Sequence, residues 1–117
     1  MTQAENQMAQ DGGCSAGEAY ALRVLGNDMA PEFSEGDIVV VEPDGAVRDG
    51  SFVVARVDDG FLLRQLRREG ADWVLCALNA DGPLNARVSL GPRLDAIHGV
   101  VIQKAVPGRR RLTRFYT

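Results

Sequence analysis

Few side chains in this 117-residue chain can move a proton near neutral pH. There is one histidine, His98, and one lysine, Lys104; the remaining basic residues, out of 13 Lys and Arg in all, are arginines. Arginine stays charged at any relevant pH, so a general base is scarce. A GC-rich genome accounts for the Arg excess without a functional reason, but the excess still limits the chemistry. Two cysteines, Cys14 and Cys76, show no C-x-x-C spacing, and one histidine completes no zinc quartet with them, so free thiols, no metal and no cofactor are expected. The most unusual loop is Gly26-Asn27-Asp28-Met29-Ala30-Pro31, which sets an acid between small and apolar residues just after a strand. Taken alone, Asp28 is accounted for as a turn or capping residue. Ser34 and Ser51 read as turn or strand-edge hydroxyls, and His98 alternates with Ile97 on a strand in a structural or exposed role.

These residues must be positioned by a β-rich domain. From Tyr20 onward, short apolar runs are cut by turn signals roughly every 8 to 12 residues, the rhythm of an all-β fold with little helix. Strands are expected over Tyr20 to Leu25, Ile38 to Val41, Phe52 to Val57, Phe61 to about Arg68, Trp73 to Leu78, Val88 to Leu90 and Ala96 to Ala105. The β-branched run at Ile38 suits a strand covered on both faces. Asp59-Gly60 supplies a two-residue hairpin signal, and Gly99 marks a bulge. Residues 1–19 are small and polar and read as a flexible arm, 20–106 as the folded domain, and 107–117 as a basic tail holding Arg109, Arg110, Arg111 and Arg114. No apolar run is long enough for a membrane helix, no signal-peptide core is present at the start, and the net charge is −3. A cytoplasmic protein with no overall attraction to nucleic acid is expected.

Four segments occur in an informative order: Leu22-Arg23-Val24-Leu25-Gly26-Asn27-Asp28-Met29-Ala30-Pro31, Glu35-Gly36-Asp37-Ile38-Val39-Val40-Val41, Asp49-Gly50-Ser51-Phe52-Val53-Val54-Ala55-Arg56 and Phe61-Leu62-Leu63-Arg64-Gln65-Leu66. Together they resemble the LexA-like peptidase family, which comprises the C-terminal domains of LexA and phage repressors with UmuD and is related to signal peptidases. The resemblance runs from about Tyr20 to Ala105. It implies a β-rich fold of short antiparallel strands and a Ser–Lys dyad, in which a lysine desolvated among apolar neighbours takes the serine proton.

Carried over residue by residue, the nucleophile position is Asp28 and the base position is Arg64. Asp lacks the hydroxyl and Arg does not deprotonate, so the resemblance implies a vestigial dyad in a cleft formed by Gly26, Asn27, Asp28, Met29, Pro31 and Arg64. Opposite charges at these two positions lead us to expect an Asp28–Arg64 salt bridge. Ala16-Gly17 matches the family's scissile dipeptide but lies close upstream of Asp28, and is read as coincidence. No N-terminal DNA-binding domain is expected, as in UmuD or a stand-alone domain. The reading is an inactive LexA-like domain that acts by binding, as a homodimer or on a protein or peptide partner. One alternative is an active or self-processing serine-type peptidase with an unassigned nucleophile. The other is a regulator that reaches nucleic acid only through the Arg-rich tail.

Overall fold

The computed structural model describes residues 17–79 and 87–116. Most of the arm expected over residues 1–19, with Cys14 and Ala16, and the Asp81-Gly82-Pro83 turn lie outside the described residues. Eight strands form one antiparallel sheet: β1 (Tyr20–Arg23), β2 (Ile38–Glu42), β3 (Phe52–Val57), β4 (Gly60–Glu69), β5 (Asp72–Cys76), β6 (Val88–Gly91), β7 (Ile97–Ala105) and β8 (Arg114–Phe115). Their order across the sheet is β1-β2-β7-β3-β4-β5-β6, with β8 added to β7. The only helical element among the described residues is a 3-10 turn, Arg110–Leu112. The β-rich architecture expected from the turn rhythm is therefore the one observed.

Alternation along the central strands fills two cores. On β3, Val54 faces one cluster while Val53 and Ala55 face the other; on β7, Val101 and Val100 divide in the same way. The first cluster holds Val24, Met29, Phe33, Val39 and Val41, and the second holds Leu66, Trp73 and Leu75. Fully burying one such aliphatic or aromatic side chain contributes about 1.5–3 kcal/mol, so each face of the sheet is anchored independently.

Three local expectations shift. The β3–β4 hairpin pairs Val57 with Gly60, so its two-residue turn is Asp58-Asp59, with Asp58 at φ 55°, and Gly60 already belongs to the strand. The cross-strand register overrides the Asp59-Gly60 signal by one residue. β2 is buried on one face through Val39 and Val41, while Ile38 and Val40 are only half-buried. Register slips where Val54 pairs Gly99 and Ala55 pairs Ile97, which makes His98 the extra residue of the bulge. Gly99 is required there by close approach: a Cβ would lie 2.5 Å from Val41 Cγ1.

The segment 107–117, set apart in sequence as a basic tail, returns to the sheet. Phe115 pairs Gln103 and Arg114 pairs Lys104, the Tyr116 N–H donates to the Ile102 carbonyl at 2.9 Å, and the Tyr116 ring lies 5.6 Å from Phe33 and 5.4 Å from Phe52. Arg109, Arg110 and Arg111 stay exposed.

Candidate functional site

The loop between β1 and β2 is closed at its base by two main-chain bonds, Val24 N–H to the Asp37 carbonyl (2.8 Å) and Gly36 N–H to the Val24 carbonyl (2.9 Å). Gly26, at φ 75°, makes the turn out of β1. The Asp37 carboxylate is buried and accepts the Ser34 N–H at 2.9 Å, which fixes the far side of the loop. Met29 and Phe33 are 2% and 0% exposed and pin the loop to the first core. Each anchor is preceded by an acid at the loop's rim, Asp28 before Met29 and Glu32 before Phe33. The Ala30–Pro31 bond between them is cis.

Asp28 meets β4. Its Oδ2 lies 3.6 Å from Arg64 Nη2; the Asp28 side chain is 40% exposed and that of Arg64 5%. Arg64 Nη1 donates to the Leu63 carbonyl at 2.9 Å, and Nε is buried with no acceptor among the described residues. A buried donor without a partner is costly, which makes this guanidinium incompletely satisfied. The pair sits in an open cleft of about 260 Å³ walled by Leu22–Leu25 of the β1 end and Phe61–Arg64 of β4, with Val39 and Val54 between them.

Both walls are strand edges. Among the described residues, β1 pairs only with β2. β4 pairs with β3 over Gly60–Gln65 but with β5 only from Gln65 onward. Leu66 exchanges main-chain bonds with Gly50 and Ser51 on the β3 side (2.6 and 2.7 Å), so strand alternation turns the N–H and C=O groups of Leu63 and Phe61 away from β3, toward the edge that β5 leaves uncovered.

Glu32 has a different environment. Its carboxylate accepts the Tyr116 hydroxyl at 2.5 Å and Arg114 Nη1 at 3.2 and 3.3 Å, and Lys104 Nζ lies 3.8 Å away while donating to the Glu32 main-chain carbonyl at 2.6 Å. Burial, together with the bond to Glu32 and that residue's charge, pushes the Tyr116 hydroxyl well above its ordinary pKa; burial alone raises that of Tyr20. Lys104, the one lysine, is therefore engaged in holding the loop from behind the cleft.

The structure thus brings Asp28, Met29 and Arg64 together at the cleft, whereas Gly26, Asn27 and Pro31, expected there too, share the loop without being among the cleft's lining residues. It leaves the other proton carriers apart from them. His98 stacks edge-on with Phe61, centroids 4.9 Å apart, and Ser51 Oγ accepts the Arg48 N–H at 3.0 Å. Cys76 is a free thiol, and among the described residues no cluster of His, Cys, Asp and Glu gathers as a metal site. Asn79 is a site residue that sequence reasoning missed: its N–H donates to the Asp28 carbonyl (2.9 Å) and its side-chain amide to the Asn27 carbonyl (3.0 Å). Nothing local marks it, since an Asn before a turn cluster reads as loop.

The Peptidase S24-like family model matches residues 2–102. The chain belongs to this family. Among proteins it is similar to, the LexA repressor of Vibrio campbellii is 40% identical over 63 residues, 53% of this chain and 31% of that protein. The LexA repressor of Psychromonas ingrahamii is 31% identical over 85 residues, 71% of this chain and 40% of that protein. An uncharacterized HTH-type transcriptional regulator of Coxiella burnetii is 38% identical over 65 residues, 54% of this chain and 30% of that protein. The matched stretch of the S24-like chain thus spans well under half of each relative's length. Among the described residues, no helix is long and apolar enough to cross a membrane.

Proposed function

We propose that this S24-like domain is catalytically inert, that it holds an extended peptide segment in the cleft between β1 and β4, and that it acts as a cytoplasmic binding and regulatory module in homodimeric form. The observation that carries the reading is the Asp28–Arg64 pair in a cleft walled by two uncovered strand edges. A carboxylate attacking an amide would give a mixed anhydride, which makes it a poor nucleophile, and a guanidinium cannot take its proton. What the cleft retains is shape and backbone groups. The edge of β4 offers the main-chain N–H and C=O of Phe61 and the N–H of Leu63, whose carbonyl already accepts Arg64 Nη1, for strand addition, and the apolar walls accept alternate side chains. The relatives, LexA repressors and an HTH-type transcriptional regulator, support a regulatory setting inside the cell. The homodimer is tested by sedimentation, where a monomer at all concentrations removes that part of the reading.

The function is tested with the wild-type chain and the double variant Asp28→Ser, Arg64→Lys, each incubated with an extended apolar peptide at neutral and alkaline pH. Wild type is expected to shift the amide signals of Phe61–Arg64 on peptide addition and to leave the peptide intact by mass spectrometry. The double variant rebuilds a hydroxyl and a titratable amine at the same positions and is expected to gain slow cleavage. Cleavage by wild type overturns the inert reading.

A further inference from the structure

We infer that the segment this cleft accepts carries an acidic side chain between apolar ones, and that Arg23 and Arg64 select it. The inference rests on the peptide-holding reading above and specifies its occupant. Three charged residues line the cleft, Arg23 and Arg64 against the single acid Asp28, so its lining residues are net positive in a chain whose net charge is −3. The main chain of Arg23 pairs with Ile38, and its side chain, exposed at the end of β1, makes no ion pair or hydrogen bond among the described residues. Arg64 is 4% exposed, its nearest carboxylate oxygen is 3.6 Å away, and its Nε has no acceptor. The cleft therefore has donors to spare and, in its lining, only one acid, half-exposed and paired loosely with Arg64. The rest of its wall is apolar, contributed by Leu22, Leu25, Met29 and Phe61, two of which, Leu25 and Phe61, are 79% and 57% exposed. An occupant complementary to this surface places apolar side chains against these walls and one carboxylate toward the guanidinium groups. The occupant is a partner protein's segment in trans.

The test uses the full chain and three capped pentapeptides that differ only in the central residue: Leu-Val-Asp-Val-Leu, its Asn form and its Lys form. Affinity is measured by calorimetry and location by amide shifts. Exchanging an attraction for a repulsion at a partly exposed site is worth about tenfold, so the Asp peptide is expected to bind about tenfold more tightly than the Lys peptide, with Asn between them. Arg23→Glu is expected to abolish that preference and Arg23→Lys to keep it. Equal binding of all three peptides in the cleft overturns the charge selection and leaves the peptide-holding reading standing. Binding of none overturns both. A preference for Asp that maps to Arg109–Arg111 instead of the cleft overturns the inference, as do shifts in residues 1–16 accompanying the cleft, which would make the chain's own arm the occupant.

Discussion

Two acids in one loop, Asp28 and Glu32, each precede a buried anchor, yet they live in opposite conditions. Glu32 is saturated: a tyrosine hydroxyl, an arginine and a lysine converge on it, at 2.5 to 3.8 Å. Among the described residues, Asp28 has one loose partner at 3.6 Å, and that partner keeps an Nε without an acceptor. The first arrangement closes on itself and ties β7 and the C-terminal strand to the loop. The second is left incomplete at the floor of a cleft. A charge cluster whose members satisfy one another is structural, whereas one with a buried donor left over is the less complete of the two.

The comparison predicts the largest stability loss on the saturated side. Glu32→Ala leaves the Lys104 ammonium, whose side chain is 12% exposed, without its carboxylate and the Tyr116 hydroxyl without an acceptor. Removing one partner from such a cluster costs about 2–4 kcal/mol in chemical denaturation, toward the lower part of the buried-pair range because Glu32 is 22% exposed. A loss no greater than that of Asp28→Ala would break the distinction between the two acids.

How much of this was legible in sequence follows from contact range. β3 was readable to the residue because its apolar, Val-rich run is bounded by Gly50 and by Asp58-Asp59. The hairpin beside it was displaced by one position because Asp58-Asp59-Gly60 contains two overlapping turn pairs, and only the Val57–Gly60 register chooses between them. Asp28 and Arg64 could be named because the motifs that carry them are local runs. The Glu32–Tyr116 bond spans 84 positions and the Asn79–Asn27 bond 52, so both arise only once the sheet is folded. Arginines at the end of the chain likewise suggested a solvated tail, since nothing local says that Tyr116 fills a gap beside Phe33 and Phe52.

A smaller effect is expected on the open side. Asp28→Ala should cost about 1 kcal/mol, because a 40% exposed carboxylate at 3.6 Å is screened by solvent. Arg64→Ala costs more through lost packing, and the double variant is expected to cost less than the sum by about 0.5–1 kcal/mol, since the two residues share an interaction. Additivity within about 0.3 kcal/mol would mean that the pair carries no coupling.

The smallest effect at neutral pH is that of Tyr116→Phe, which keeps the ring against Phe33 and Phe52 and removes only the hydroxyl bond, about 1 kcal/mol. Its signature lies in alkali. Burial and the neighbouring Glu32 raise the folded-state pKa of Tyr116 above its ordinary value of 10.0, so the folded chain holds the phenolic proton more tightly than the unfolded chain does. The associated stability is fully present below pH 10 and is lost as the pH rises beyond it, because there the unfolded state releases a proton that the native state retains. Tyr20, raised by burial, adds to the same slope and persists in the variant. Denaturation curves between pH 8 and about 11.5 should therefore show a shallower alkaline decline for Tyr116→Phe than for wild type, without becoming flat. Parallel slopes would mean that Glu32 does not hold the Tyr116 hydroxyl, and the saturated cluster would then be no more complete than the pair at Asp28.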